Sequence, residues 1–570
     1  MNLLPAPRDA DMSGALVEPR TPRIEHDASL PAEGYELTVS ESGEITIRSA
    51  DPAGEHYARQ TLSQLERTGG GSVPVGRIRD WPDLPVRAVM LDISRDKVPT
   101  MATLRETVDR LASWKVNQLQ LYSEHTFAYR EHSVVWRDAS PMSADEIREL
   151  DAYCAERHIE LVPNQNCLGH MERWLAHEPY AHLAMEPGPD NANPTRARTT
   201  IEPTHPQTLP LIRSLMQELL PNFAGTRYVQ VGLDEPWEMS KDRIDDYLAW
   251  VRALRSMPEI DGREMLIWGD ILAGNPDWIA ALPDGVTVCE WGYDAGYPFD
   301  ERAATFGKCD RDFWVAPGTS SWLTILGRVT NMRANCAEAV DAALAHGGRG
   351  LLNTDWGDQG HLQYLPVSDP GLAYGAAVGW CVDSNRGIDL AAALSAHCYD
   401  DDTGVLAAAL VKLGDAYLRM TPQMMNVSTA TLHLYWPQLT VGKWPLSGAT
   451  AGDYEAVAAV VDEVGSTLHA QRSSRPDAAL VVDELRNAIA LVGLLARDGI
   501  ARVSGDGTLP GIPATTRARL ADDLRPIIDE HERLWLARNR PGGLSDSRAW
   551  LEQLLHCYET GTVELTWGSR

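Results

Sequence analysis

From residue 86 onward, short apolar runs rich in β-branched residues alternate with stretches whose apolar positions recur at helical spacing. The runs fall at 86–93, 117–122, 159–163, 227–234, 264–269, 286–291, 312–317 and 349–355. Helical patterns separate most of them, as at 101–114 and 143–157. Strands that read as continuously apolar are buried on both faces, which is the habit of a parallel sheet. This alternation predicts an α/β fold, a (β/α)8 TIM barrel over 85–395. A doubly wound open sheet is the alternative, but the informative polar residues lie at the ends of most runs rather than at one switch point.

The flanks read differently. In residues 1–84, Tyr35-Glu36-Leu37-Thr38-Val39 alternates, Ser42-Gly43 turns, and Ile45-Thr46-Ile47 resumes, which predicts a hairpin. A helix follows around Tyr57 to Leu65, so this segment is expected to be a small α+β domain. Across 396–570 the strand signal fades, and 404–420, 452–470, 476–498, 515–538 and 545–557 carry helical spacing. That segment is expected to be an α-helical C-terminal domain. Trp535 to Gly543 reads as a helix stop with glycine permitting positive φ, with a reach toward the site as the alternative.

Composition narrows the class. At 44% apolar and 23% charged residues the chain matches a globular enzyme. A net charge of −29 argues against nucleic acid and anionic membranes as partners. The N-terminus lacks a basic stretch followed by an apolar one, and the eight cysteines show no metal or CxxC spacing. A cytoplasmic protein with reduced thiols is expected, with no cofactor and no metal. A homodimer is an assembly that a helical C-terminal domain would support.

The fourth run ends in Asp234-Glu235, two carboxylates at the C-terminal edge where α/β barrels keep their chemistry. Neighbouring strand residues face opposite sides, so both reach one pocket only where the chain bends. Adjacent carboxylates disfavour simultaneous ionisation, which suits one as proton donor and the other as standing anion. For an isolated pair, solvent-facing acids or a helix cap would be the favoured explanation. Other run ends bear on that choice: Trp268-Gly269-Asp270, Glu290-Trp291-Gly292-Tyr293 and Asp355-Trp356-Gly357-Asp358 each place a tryptophan beside an acid. Aromatic faces and carboxylates together fit a sugar, whose C–H faces pack on rings while its hydroxyls need polar partners. The first run, Arg87 to Asp96, sets charges around an apolar strand. A buried arginine needs partners, and for Arg87 these are internal carboxylates or substrate hydroxyls; an internal pair with aspartate is favoured for Arg95. His170, behind Gly169 in the loop after the third run, is placed to hydrogen-bond a ligand or a catalytic carboxylate. His125 and His361 share no ligand spacing with it.

In order along the chain, these motifs resemble glycoside hydrolase family 20, the β-N-acetylhexosaminidases. The resemblance runs through Gly34-Tyr35-Glu36-Leu37, Arg87 to Asp96, Lys115-Val116-Asn117, Leu161-Val162-Pro163 with Gly169-His170, and Val231-Gly232-Leu233-Asp234-Glu235. It departs at Gln230, where the family often has His, and at Leu233, where a small residue is usual. Asn164 and Asn166 stand where acids are common, and the second-run loop reads Glu124-His125 in place of an acid pair.

The resemblance implies an exo-acting, retaining, substrate-assisted hydrolase of terminal N-acetylglucosamine or N-acetylgalactosamine on a small glycan or glycoside. Glu235 would be the acid and then the base, and Asp234 would hold the acetamide. Trp268, Trp291 and Trp356 would wall it. Arg87 and Asp358 would bind ring hydroxyls, with Glu124 and His125 as further C4 contacts. Tyr293 would take the acetamido oxygen. Asn166, His170 and Trp322 complete the expected substrate-binding set. A barrel glycosidase of another family, with Asp358 as nucleophile, and a non-catalytic carbohydrate-binding protein are the competing readings.

Overall fold

The structure, a computed structural model, describes residues 2–188 and 198–563. Five strands form a first sheet: β1 (Asp9–Val17), β2 (Arg23–His26), β3 (Tyr35–Val39), β4 (Ile45–Ser49) and β5 (Val73–Asp80), in the order β1-β5-β3-β4-β2. The predicted hairpin is β3 against β4, antiparallel, with Leu37 opposite Ile47. Its alternation buries Tyr35, Leu37, Val39, Ile45 and Ile47 against Tyr57, Leu62 and Leu65 of the helix Pro52–Thr68. Asp51 caps that helix by accepting from the Gly54 N–H. β1 and β2 escape the sequence reading because they are exposed along most of their length and so carry no alternation.

The second sheet has eight parallel strands: β6 (Val86–Asp92), β7 (Gln118–Tyr122), β8 (Glu160–Val162), β9 (Tyr228–Gln230), β10 (Glu264–Trp268), β11 (Val286–Trp291), β12 (Phe313–Ala316) and β13 (Gly350–Asp355). β13 returns to β6 in register, Leu351 beside Arg87. β8 and β9 meet through a parallel bridge between Asn164 and Gln230, and Gln165 donates its N–H to the Gln230 carbonyl at 3.0 Å. The sheet therefore closes into a barrel, which removes the open-sheet alternative. Each predicted run contains one observed strand, and all eight deliver their C-terminal ends to one face.

Beyond the barrel lie the helices Val405–Gly414, Ala451–Thr467, Ala478–Ser504, Ala514–Arg538 and Leu544–Thr560. They pack against the barrel rather than apart from it. Thr103 donates to the Arg538 carbonyl at 2.7 Å, and Arg540 pairs with Glu146 at 2.8 Å. The segment Trp535 to Gly543 is thus a helix stop and a bracket on the barrel. Gly543 has φ of 78°, and a Cβ there would lie 1.9 Å from the Asp96 carbonyl oxygen, so glycine is required on both counts. Among the described residues no helix is long and apolar enough to cross a membrane.

Candidate active site

The regular part of β9 ends at Gln230, and the chain then bends sharply. Gly232, Leu233 and Glu235 all have positive φ, at 73°, 77° and 46°. Such angles are costly for residues with a Cβ and mark a backbone held by its surroundings. The surroundings are close: a Cβ on Gly232 would fall 1.6 Å from Asn166 Oδ1, and one on Gly169 would fall 2.1 Å from the Asp234 carbonyl. The bend turns both carboxylates to one side. His170 Nε2 lies 3.2 Å from Asp234 Oδ2 and 3.5 Å from Glu235 Oε2, so one imidazole nitrogen faces both acids.

The pair opens into a cavity of about 460 Å3 lined by Arg95, His170, Trp268, Trp291, Tyr293, Trp356, Asp358 and Asn426 as well as Asp234 and Glu235. Trp291 and Tyr293 stack at 5.3 Å, and Trp268 and Trp356 stand 5.9 Å apart. Trp356 donates its indole N–H to the Tyr293 hydroxyl oxygen at 2.8 Å, leaving the phenol proton free to point elsewhere. Burial keeps that phenol protonated, well above the ordinary tyrosine range. Asp234 Oδ1 is buried and has no protein partner among the described residues.

Charge in the pocket is balanced by Arg95 and His170. Arg95 pairs with Asp92 at 3.3 Å and with Glu124 at 3.4 Å, and lies over the rings of Tyr122 and Trp356. Burial opposes a charge on His170, yet the carboxylate of Asp234 and the contact with Glu235 hold it well above the usual imidazole range. Asp270, at the end of β10, is pushed up to about 7 by burial and then by Asp234. It accepts the Glu235 backbone N–H at 3.1 Å, which anchors the bend from below. Glu124, His170 and Glu172 present ligand atoms within 4.8 Å of one another. The Arg95 guanidinium, 3.2 Å from His170 Nδ1, already supplies the positive charge there.

Several expected contacts are relocated. Arg87 does not reach the sugar pocket. It enters at the N-terminal end of β6, 1% exposed, and its guanidinium meets Glu33 at 2.7 Å, the Tyr57 hydroxyl at 3.1 Å and the carbonyls of Leu84 and Lys115. Arg95, at the other end of the same motif, is the arginine that lines the pocket, in addition to its internal pair. Glu124 lies behind Arg95, buried, with the Tyr122 hydroxyl donating to it at 2.9 Å, and burial pushes it up to about 7. His125 is buried away from the cavity and held neutral, near 3, by burial and by Arg173 and Arg95. Asn166 supports the β9 bend and donates to the Tyr122 hydroxyl at 2.8 Å. Trp322 is 1% exposed and sits edge-on behind Tyr293 at 5.1 Å. The remaining expected residues, His170, Trp268, Trp291, Tyr293, Trp356 and Asp358, line the cavity with the carboxylate pair. Arg95, Asp270 and Asn426 were not among the expected contacts; Asp270 closes a motif that reads from the sequence, whereas Asn426 comes from a stretch with no periodic pattern.

Carboxylates at the mouth of a closed (β/α)8 barrel, facing three indoles and a phenol, are the equipment of a barrel glycoside hydrolase. Residues 5–81 match the family model described as glycosyl hydrolase family 20, domain 2, and residues 84–305 match glycosyl hydrolase family 20, catalytic domain. Together they span more than half of the chain, which belongs to glycoside hydrolase family 20. A β-hexosaminidase of Akkermansia muciniphila is 30% identical over 39% of this chain and 47% of its own length. This chain therefore spans about half of that relative. Hexosaminidase D of Bos taurus is 23% identical over 50% of this chain and 90% of its own. The structure of a β-N-acetylhexosaminidase from Streptomyces coelicolor superposes with a TM-score of 0.54 at 20% identity, covering 70% of this chain and 95% of that one.

Proposed function

We propose that this protein is an exo-acting, retaining β-N-acetylhexosaminidase that uses the substrate's own acetamide as nucleophile. The observation that carries the reading is Asp234: it shares His170 with Glu235, while its other oxygen is buried and has no partner among the described residues. That oxygen is an acceptor for the acetamido N–H. Held so, the acetamido carbonyl oxygen is turned toward C1, and the Tyr293 hydroxyl supplies a donor to it. Trp268, Trp291 and Trp356 pack around the methyl group and the ring face.

Glu235 then protonates the glycosidic oxygen as the C1–O bond breaks and the carbonyl oxygen bonds to C1. The aglycone leaves as an alcohol and an oxazolinium ion remains, its positive charge facing Asp234. Glu235, now a carboxylate, takes a proton from water as the water adds to C1. The ring opens to the sugar with its β configuration retained. Arg95 and Asp358 bind ring hydroxyls through charge-assisted hydrogen bonds. Terminal N-acetylglucosamine and N-acetylgalactosamine both suit this chemistry, and rates on the two aryl glycosides rank them.

The chain divisions at 84/85 and 395/396 are proposed as domain boundaries, and a homodimer is the proposed assembly. A cytoplasmic setting is supported by Cys154, Cys167, Cys289, Cys309, Cys336, Cys381 and Cys398, which stand as free thiols. The test is turnover of an aryl β-N-acetylhexosaminide. Glu235→Gln is expected to lower kcat about 100- to 10,000-fold, the range for losing a general acid–base. A thiazoline mimic of the oxazolinium ion is expected to inhibit. Wild-type turnover in Glu235→Gln, or full insensitivity to the mimic, contradicts the reading.

A further inference from the structure

We infer that Asn426, carried in from beyond the barrel, is a substrate-binding residue whose carboxamide hydrogen-bonds a ring hydroxyl or the hydroxymethyl group of the terminal sugar. The inference rests on the hexosaminidase reading of the pocket and adds a contact to it. Asn426 lies in the helical C-terminal part of the chain, yet it lines the same cavity as Trp291, Tyr293 and the carboxylate pair.

Its placement is built. Asp294, in the loop after β11, accepts the Asn426 backbone N–H at 3.2 Å. Arg328, in the loop after β12 and 3% exposed, donates to that same Asp294 at 2.7 Å and to the Met424 carbonyl at 3.2 Å. Two barrel loops therefore hold residues 424–426 over the pocket. Asn426 itself has φ of 59°, the left-handed region that asparagine tolerates better than other residues with a Cβ. Its Oδ1 is buried and has no partner among the described residues.

A buried amide oxygen without a donor carries an unmet hydrogen bond, whereas a sugar hydroxyl is both donor and acceptor and matches a carboxamide on both counts. Asn426 is tied to the ends of β11 and β12, while Arg95 and Asp358 extend from β6 and β13. The two sets hold the ring from different flanks, which orients it with respect to Glu235.

The test compares wild type, Asn426→Gly and Asn426→Asp on aryl β-N-acetylhexosaminides and on their 3-, 4- and 6-deoxy analogues. Glycine keeps the left-handed backbone without strain, so folding is not at issue, and an unchanged thermal midpoint checks it. On the parent sugar, Asn426→Gly is expected to lower kcat/KM about tenfold, the value of one hydrogen bond, and Asn426→Asp to recover part of it. One deoxy analogue is expected to be equally poor for wild type and Asn426→Gly, because the contact is already missing. Wild-type kinetics in Asn426→Gly, or an equal loss on every analogue, overturns the inference. Absence of turnover by wild type on any of these glycosides instead overturns the hexosaminidase reading.

Discussion

Arg87 and Arg95 belong to one strand motif but do opposite work, and the barrel explains why. A strand runs from the bottom of the barrel to its catalytic face, so its first residue and the residues past its last are on different sides of the core. Arg87 at the bottom stitches β6 to the turn before β3 through Glu33 and to the helix Pro52–Thr68 through Tyr57, and lies over the Trp380 ring at 5.0 Å. Arg95 at the top lines the pocket. Arg87→Met is expected to lower stability by about 3 kcal/mol, as removing one partner of a buried pair does, with KM unchanged in the folded enzyme. Arg95→Lys keeps the charge but loses the planar fork, so kcat/KM is expected to fall about tenfold. Chemical unfolding and steady-state kinetics on both variants check this; a KM effect from Arg87→Met contradicts it. Arg95 stands beside Asp96 and Arg87 between Val86 and Ala88, neighbours that favour an internal pair for Arg95; which arginine lines the pocket follows from the position along the strand and not from these neighbours.

At the scale of elements, the placement of the carboxylate pair depends on how β9 ends. The apolar run predicts a strand through 227–234, but the regular strand stops at Gln230. Gly232 is the visible sign of the bend; the positive φ of Leu233 and Glu235 is imposed by Asn166, Gly169 and Asp270, which come from other strand ends. Propensity within the run carries no trace of that imposition. Gly232→Ala would drive a methyl group into Asn166 and add backbone strain. It is expected to reduce kcat more than about 100-fold, since small misplacements of reacting groups are that costly, while circular dichroism stays that of the wild type. Near-normal kcat would mean the bend is not what positions the pair. The tryptophan walls were legible because each indole sits at the end of an apolar run, where barrel register alone assigns it to the mouth.

For the whole molecule, the order of the barrel strands and their shared catalytic face could be read from alternation, because buried parallel strands are the strongest pattern a sequence carries. The part played by the C-terminal helices could not. Their apolar faces predict helices without saying what covers them, and the contacts of Arg538, Arg540 and Asn426 with the barrel join residues far apart in the chain. The pocket is complete only with a segment from beyond the barrel. In the proposed reading, the division of labour between Asp234 and Glu235 leaves the attack on C1 to the sugar.

That claim is tested most directly by the acetamide itself. Aryl β-glycosides bearing mono-, di- and trifluoroacetamido groups at C2 make the carbonyl oxygen a progressively weaker nucleophile with little change in shape. Substrate assistance predicts that kcat/KM falls steeply with each added fluorine. A rate that stays level across the series would place the nucleophile on the enzyme and contradict the account.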